Sequence, residues 1–179
     1  MINVRIVNVI ATTSVCQKLN LKDLKNYPDI SYDSETYRGM VAYLKTKSMQ
    51  GKVSIFSSGK LISIGTRSEK QAFSELEYAK DFLIKKGHAK PVETDFVTQN
   101  LVVIADFHDS LNLERLSEEN RNAIYEPEQF PGAILRLATP FKATVLIFAS
   151  GKTVITGLKS LAEIEPTIQL LKQIIEPNR

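Results

Sequence analysis

The segment Ile55-Phe-Ser-Ser-Gly-Lys60 returns 92 positions later as Ile147-Phe-Ala-Ser-Gly-Lys152. Gly65 returns as Gly157 and Asn8 as Asn100 at the same offset, while Tyr32, Tyr37 and Gly39 return as Tyr125, Phe130 and Gly132 at an offset of 93. Matches spread over the whole length at a nearly constant offset mark a duplicated unit rather than one shared motif. A slip of one residue between blocks is what a loop insertion produces. The expected repeats are residues 1–90 and 91–179, joined near Gly87 to Thr94. A chain of 179 residues suffices for one large domain or two small fused ones.

Each copy reads alike. An apolar, β-branched run comes first, over residues 4–12 or 96–105, and predicts a strand. A short helix spaced by Leu21 and Leu24, or by Leu113 and Leu116, follows. A short strand is expected around Tyr32 and Tyr125. Three strands then lie near 40–46, 52–57 and 60–65, with counterparts near 132–138, 143–149 and 152–157. Each copy ends in a longer amphipathic helix. Ser68 with Gln71, and Ser160 with Glu163, fit capping boxes at the helix starts. Phe73, Leu76, Ala79 and Leu83 form one apolar stripe. Pro166 predicts a kink or a later start in the second of these helices.

The Ser-Gly-Lys segments predict hairpins closed by glycine in the left-handed conformation, with Phe56 opposite Lys60. Ser54, Phe56, Lys60, Ile62 and Ile64 then share one face, as do Leu146, Phe148, Lys152, Val154 and Thr156. Val53, Ile55 and Leu61, or Val145, Ile147 and Ile155, share the other. Both faces are largely apolar. One packs on the helices, and the other is either covered by something else or is an exposed apolar patch, which marks a binding surface. Its rim of lysines and serines suits a partner that is flat, partly apolar and anionic at its edges, as the DNA minor groove is.

Charge is divided between the copies. Residues 1–90 hold 15 Lys/Arg against 8 Asp/Glu, whereas residues 91–179 hold 8 against 12. The basic half suits a polyanion and the acidic half a basic protein, although solvated surface that drifted between copies gives the same totals. Cys16 is the single cysteine, so no intrachain disulfide forms, which fits a reducing compartment. No stretch approaches the roughly 20 apolar residues of a membrane span, and no secretion signal is expected at the N-terminus. Gly151-Lys152-Thr153 resembles the end of a phosphate-binding loop, but Leu146 stands where that loop needs glycine. His88 and His108 are not spaced as metal ligands, and no nucleophile is paired with a base. The sequence therefore predicts no enzyme, no metal and no cofactor.

Asn8 and Asn100, the two Phe-x-Ser-Gly-Lys hairpins and Tyr125-Glu-Pro-Glu-Gln-Phe-Pro-Gly132 together resemble the TATA-box-binding protein family over nearly the whole chain. The resemblance implies an α+β saddle: a curved ten-stranded antiparallel sheet with four helices on its convex side and the DNA minor groove on its concave side. It implies wedges between base steps at Tyr37 and Phe56, and at Phe130 and Phe148. Asn8 and Asn100 match base donors, and Ile10, Val102, Ile62, Val154, Leu146 and Thr156 match groove-floor contacts. Ser58, Ser150, Lys60, Lys152, Arg136, Arg67 and Lys159 match contacts at or near phosphates. Glu126 and Glu128 match the place where the family docks transcription factor B. The implied function is a general transcription factor that binds and bends A·T-rich promoter DNA. It would work in the cytoplasm of an archaeon, or in the nucleus of a eukaryote. Without the duplication, Phe56 and Phe148 read as core residues of strands, and Asn8 and Asn100 as satisfied polar groups at strand ends.

Departures from the family pattern gather in the first copy. Tyr37 occupies a wedge position, Tyr43 is expected to stand where the second copy has Arg136, and Ser54 stands for Leu146 and Ile64 for Thr156. A tyrosine wedge must find a partner for its hydroxyl or lose about 1–3 kcal/mol. These changes favour DNA binding weighted towards the second copy. They also motivate the alternative of a diverged relative that acts mainly as a protein-interaction or regulatory module.

Overall fold

The computed structural model describes residues 2–178. The chain divides into two compact units, Asn8–Gln99 (the first unit) and Met1–Val7 with Asn100–Arg179 (the second). The first unit holds β1 (Asn3–Ser14) from Asn8 onward, β2 (Ile30–Tyr32), β3 (Val41–Leu44), β4 (Lys52–Phe56), β5 (Lys60–Thr66) and α1 (Glu69–Lys85). Its strands lie in the order β2-β3-β4-β5-β1, and every pairing is antiparallel. The second unit holds β6 (Val97–Asp106) from Asn100 onward, α2 (Leu113–Glu119), β7 (Ala123–Ile124), β8 (Gly132–Leu137), β9 (Ala143–Phe148), β10 (Lys152–Leu158) and α3 (Ile164–Ile175). Its order, β7-β8-β9-β10-β6, repeats the first. No helix among the described residues is long and apolar enough to cross a membrane.

Alternation decides which side of each unit's strands is covered. Val53, Ile55 and Leu61 are fully buried, as are Ala72, Leu76, Ala79 and Leu83 on α1. In the second unit Leu101, Val103, Val145, Ile147 and Ile155 are buried, together with Leu113 and Leu116 of α2 and Ile168, Leu171 and Ile175 of α3. Removing each of the valine, leucine and isoleucine side chains from water contributes about 1.5–3 kcal/mol. The apolar stripe of α1 holds at Leu76, Ala79 and Leu83, while Phe73 is half-buried and stacks at 5.8 Å on Phe96.

Helix starts follow the capping chemistry. Ser68 Oγ accepts the Gln71 N–H at 3.2 Å and opens α1. Ser160 Oγ accepts the Ala162 N–H, but this begins a single 3-10 turn at Leu161–Glu163, and α3 starts only at Ile164. Pro166 thus sits in the first turn of α3, where its missing N–H costs nothing. The described residues contain three α-helices, not four. Leu21–Leu24 forms one 3-10 turn where α2 has seven residues. Pro28 disfavours helical backbone at Tyr27, and no side chain caps the turn at Asn20, whereas Asn112 caps α2 through the Arg115 N–H.

Candidate nucleic-acid interface

The strand face of each unit opposite its helices is half-exposed and largely apolar. In the second unit Val102 opposes Thr156, and Ile104 opposes Val154. Val154 opposes Leu146, and Leu146 opposes Ile134. All six are half-buried, while their neighbours Val103, Val145 and Ile155 are sealed. In the first unit the corresponding row is Thr12, Ile62, Ser54 and Tyr43. Ile10, Ile62 and Ile64 are half-buried there, but Ser54 leaves the row shallower than Leu146 does.

Each face carries an asparagine whose orientation is fixed. Asn8 Oδ1 accepts the Gly65 N–H at 2.8 Å, and Asn100 Oδ1 accepts the Gly157 N–H at 2.7 Å. Both glycines have positive φ, 97° and 108°. They lie at register shifts in the β1–β5 and β6–β10 ladders, where a bulge turns the N–H away from its strand partner. Because a backbone N–H can only donate, the amide oxygen must face it. That leaves Nδ2 as the remaining donor. Asn100 Nδ2 also meets Thr156 Oγ1 at 3.1 Å, a partner that Ile64 removes from the first unit.

The hairpins match their expected geometry. Gly59 and Gly151, at φ 90° and 79°, donate to the Phe56 and Phe148 carbonyls, each at 2.9 Å. A support without any signal in the residue pattern surrounds both tips. Val15 and Leu19 donate to the Gly59 and Ser57 carbonyls, and Phe107 and Leu111 to the Gly151 and Ala149 carbonyls. The chain leaving β1 or β6 thus clasps the hairpin that carries Ser58 and Lys60, or Ser150 and Lys152, all four exposed. Arg67, Arg136 and Lys159 are exposed as well.

The aromatic pairs differ between units. Phe130 stands edge-on to Phe148, with centroids 5.7 Å apart and planes at 62°. Tyr37 is 66% exposed and makes no ring contact among the described residues. Its φ of 47° and that of Arg38, 55°, are left-handed, and the loop is tied by Tyr32 donating to the Gly39 carbonyl. Asp33 in this loop accepts from the Glu35 N–H and the Thr36 hydroxyl, and these bonds hold its carboxyl below the usual value. In the second unit the matching turn closes on the Glu126 carbonyl, which accepts from Gln129 and Phe130. The Glu126 and Glu128 carboxylates are exposed and have no partner among the described residues.

Strand register corrects one expectation. Val41 opposes Phe56 as Gly132 opposes Phe148, and Tyr43 opposes Ser54 as Ile134 opposes Leu146. Tyr43 therefore corresponds to Ile134, and Lys45 rather than Tyr43 corresponds to Arg136. The strands match at an offset of 91, and the left-handed coil at Tyr37–Gly39 takes up the difference from 93. Sequence reasoning also missed two features of this region. Lys45 Nζ caps its own loop through the Met49, Gln50 and Gly51 carbonyls at 2.6–2.8 Å. Glu75, on the buried side of α1, receives the Gln50 and Gly51 N–H groups on Oε1.

Comparison with known proteins agrees with this arrangement. The family model described as transcription factor TFIID (or TATA-binding protein, TBP) matches twice, over residues 3–85 and 95–177. The TATA-box-binding protein of Cenarchaeum symbiosum is 38% identical over 160 residues, 89% of this chain and 87% of that protein. That of Methanopyrus kandleri is 34% identical over 176 residues, 94% of each chain. The structure of Methanococcus jannaschii TBP superposes with a TM-score of 0.86 at 30% identity, covering 98% of this chain and 99% of its own. With the matched repeats, the shared fold and these relatives in agreement, the chain belongs to the TATA-binding protein family.

Proposed function

We propose that the protein is a general transcription factor that binds A·T-rich, TATA-like promoter DNA in the minor groove, bends it, and recruits a transcription factor B-like protein. The observation that carries this reading is the half-exposed apolar row Val102, Ile104, Val154, Leu146 and Ile134, bordered by an asparagine with a fixed amide oxygen and by exposed serines and lysines. The minor groove of A·T pairs offers only acceptors, so amide donors suit either orientation of a pair. The missing guanine amino group lets an apolar floor approach. Phe130 and Phe148, with Tyr37 and Phe56, are the wedges, since prying a base step open costs a few kcal/mol that large apolar rings recover. Ser58, Ser150, Lys60, Lys152, Arg67, Arg136 and Lys159 meet phosphates. Glu126 and Glu128 face the protein partner. In an archaeal cell this work is cytoplasmic.

Fluorescence anisotropy with an A·T-rich duplex and a G·C-rich control of equal length tests the reading. Preference for the A·T-rich duplex is expected. Equal binding to both, or to neither, overturns it in favour of a protein-interaction module.

A further inference from the structure

We propose that Lys52, held over the ring of Tyr43, is the DNA-phosphate contact that stands in the first unit for Arg136 of the second. This rests on the DNA-binding reading above and names a residue that the repeat pattern does not mark. Lys52 opposes Ile64 in the β4–β5 ladder, and Ile64 is half-buried on the uncovered face. Tyr43 opposes Ser54, so Lys52 and Tyr43 are diagonal neighbours on that same face. The Lys52 ammonium lies 4.5 Å from the Tyr43 ring centroid. A cation over an aromatic face is attracted by the ring quadrupole and loses little hydration when exposed, so the contact orders the chain without neutralising it. In the second unit the same two positions are Thr144 and Ile134, which carry no charge.

The residue that register matches to Arg136 is unsuited to this task. Lys45 spends its ammonium on three carbonyls of the loop it begins, at 2.7, 2.8 and 2.6 Å. Breaking those bonds to reach a phosphate leaves the loop carbonyls without a donor. Lys52 has no ion-pair partner among the described residues and is exposed. The charge at this end of the face has moved from β3 to β4. The Tyr43 ring, in a position that is aliphatic in the other unit, supports it there.

Counterion release gives the test. Each phosphate neutralised by a cation contributes about 0.9 to the slope of log K against log salt for duplex DNA. Lys52→Thr, which copies Thr144, and Lys45→Met are compared with wild type on the A·T-rich duplex, from low to moderate salt. Lys52→Thr is expected to lower the slope by about 0.9 and to weaken binding by a factor on the order of ten near 0.1 M salt. Tyr43→Ile, which copies Ile134, is expected to weaken binding less and to keep the slope, because the charge remains. Lys45→Met is expected to keep the slope while lowering the midpoint of thermal unfolding. A slope that falls with Lys45→Met and not with Lys52→Thr overturns the proposal and restores the positional match to Arg136. An unchanged slope in both also overturns it. If wild type itself fails to prefer the A·T-rich duplex, the functional reading fails instead, and the two failures are distinguishable.

Discussion

Asn100 and Gly157 are joined by a 2.7 Å hydrogen bond in which the glycine N–H fixes the side-chain oxygen, and Asn8 and Gly65 repeat it at 2.8 Å. Asn8→Asp keeps the acceptor that Gly65 needs but replaces the outward amide donor with a charged acceptor. Stability should change little. Affinity for an A·T-rich duplex should fall at least about tenfold, or about 1.4 kcal/mol, because groove acceptors and phosphates both repel the new charge. Urea unfolding and anisotropy titration of the same sample check the two halves. Unchanged affinity would show that Asn8 only holds the bulge.

The strict alternation at 145–155 made the buried and open faces of the second unit legible, because a strand has no other way to place Val145, Ile147 and Ile155 together. The hairpins were legible for a related reason, since a glycine after two turn residues sets both the loop and the register. Tyr43 was not. Its sequence match to Arg136 carried the offset of Tyr37 and Gly39 into a strand that pairs two residues out of step, and backbone coiling at Tyr37–Gly39 leaves no trace in residue types alone. Lys52 reads as an ordinary charged strand end until the diagonal to Tyr43 is known. Glu75 reads as a solvated helix charge, although it lies three residues after Ala72 and four before Ala79, on the side that the sheet covers.

Glu75 should matter to stability. It is 5% exposed, and its Oε1 receives the Gln50 and Gly51 N–H groups at 2.8 and 3.0 Å. Glu75→Ala strands the buried Gly51 donor and should cost about 1–3 kcal/mol in urea unfolding. Glu75→Gln keeps an acceptor and should cost clearly less. Equal stability of the alanine variant and wild type would mean that water replaces the carboxylate without loss.

The aromatic pairs should contribute unequally. Phe130 and Phe148 support each other at 5.7 Å, whereas Tyr37 stands 66% exposed without a ring contact. Phe148→Ala or Phe130→Ala should weaken DNA binding by about 1–3 kcal/mol, the range measured for one stacking aromatic on single strands. The double variant should lose less than the sum, since each ring positions the other. Tyr37→Ala should cost less than either, and Tyr37→Phe should strengthen binding if no base or phosphate takes its hydroxyl. Wild-type affinity and bending in both phenylalanine variants, with the fold intact, would end the wedge assignment.

Glu126 and Glu128 should separate protein recruitment from DNA binding. The turn that carries them is closed by the Glu126 carbonyl alone, so neither carboxylate is needed to build it. Both are exposed and unpartnered among the described residues, unlike Asp33 in the first unit, whose carboxylate is spent on Glu35 and Thr36. Two uncompensated carboxylates beside Pro127 repel phosphate and attract a basic protein surface. Complementary charge of this kind acts mainly on association rate and partner choice. Reversing both to lysine should slow association with a transcription factor B-like protein, most visibly at low salt. The same variant should bind the A·T-rich duplex as well as wild type, or better. Surface plasmon resonance on immobilised duplex, with the two proteins added in turn, reads both effects in one experiment. Loss of DNA binding with protein association intact would place these residues on the DNA side and contradict the assignment.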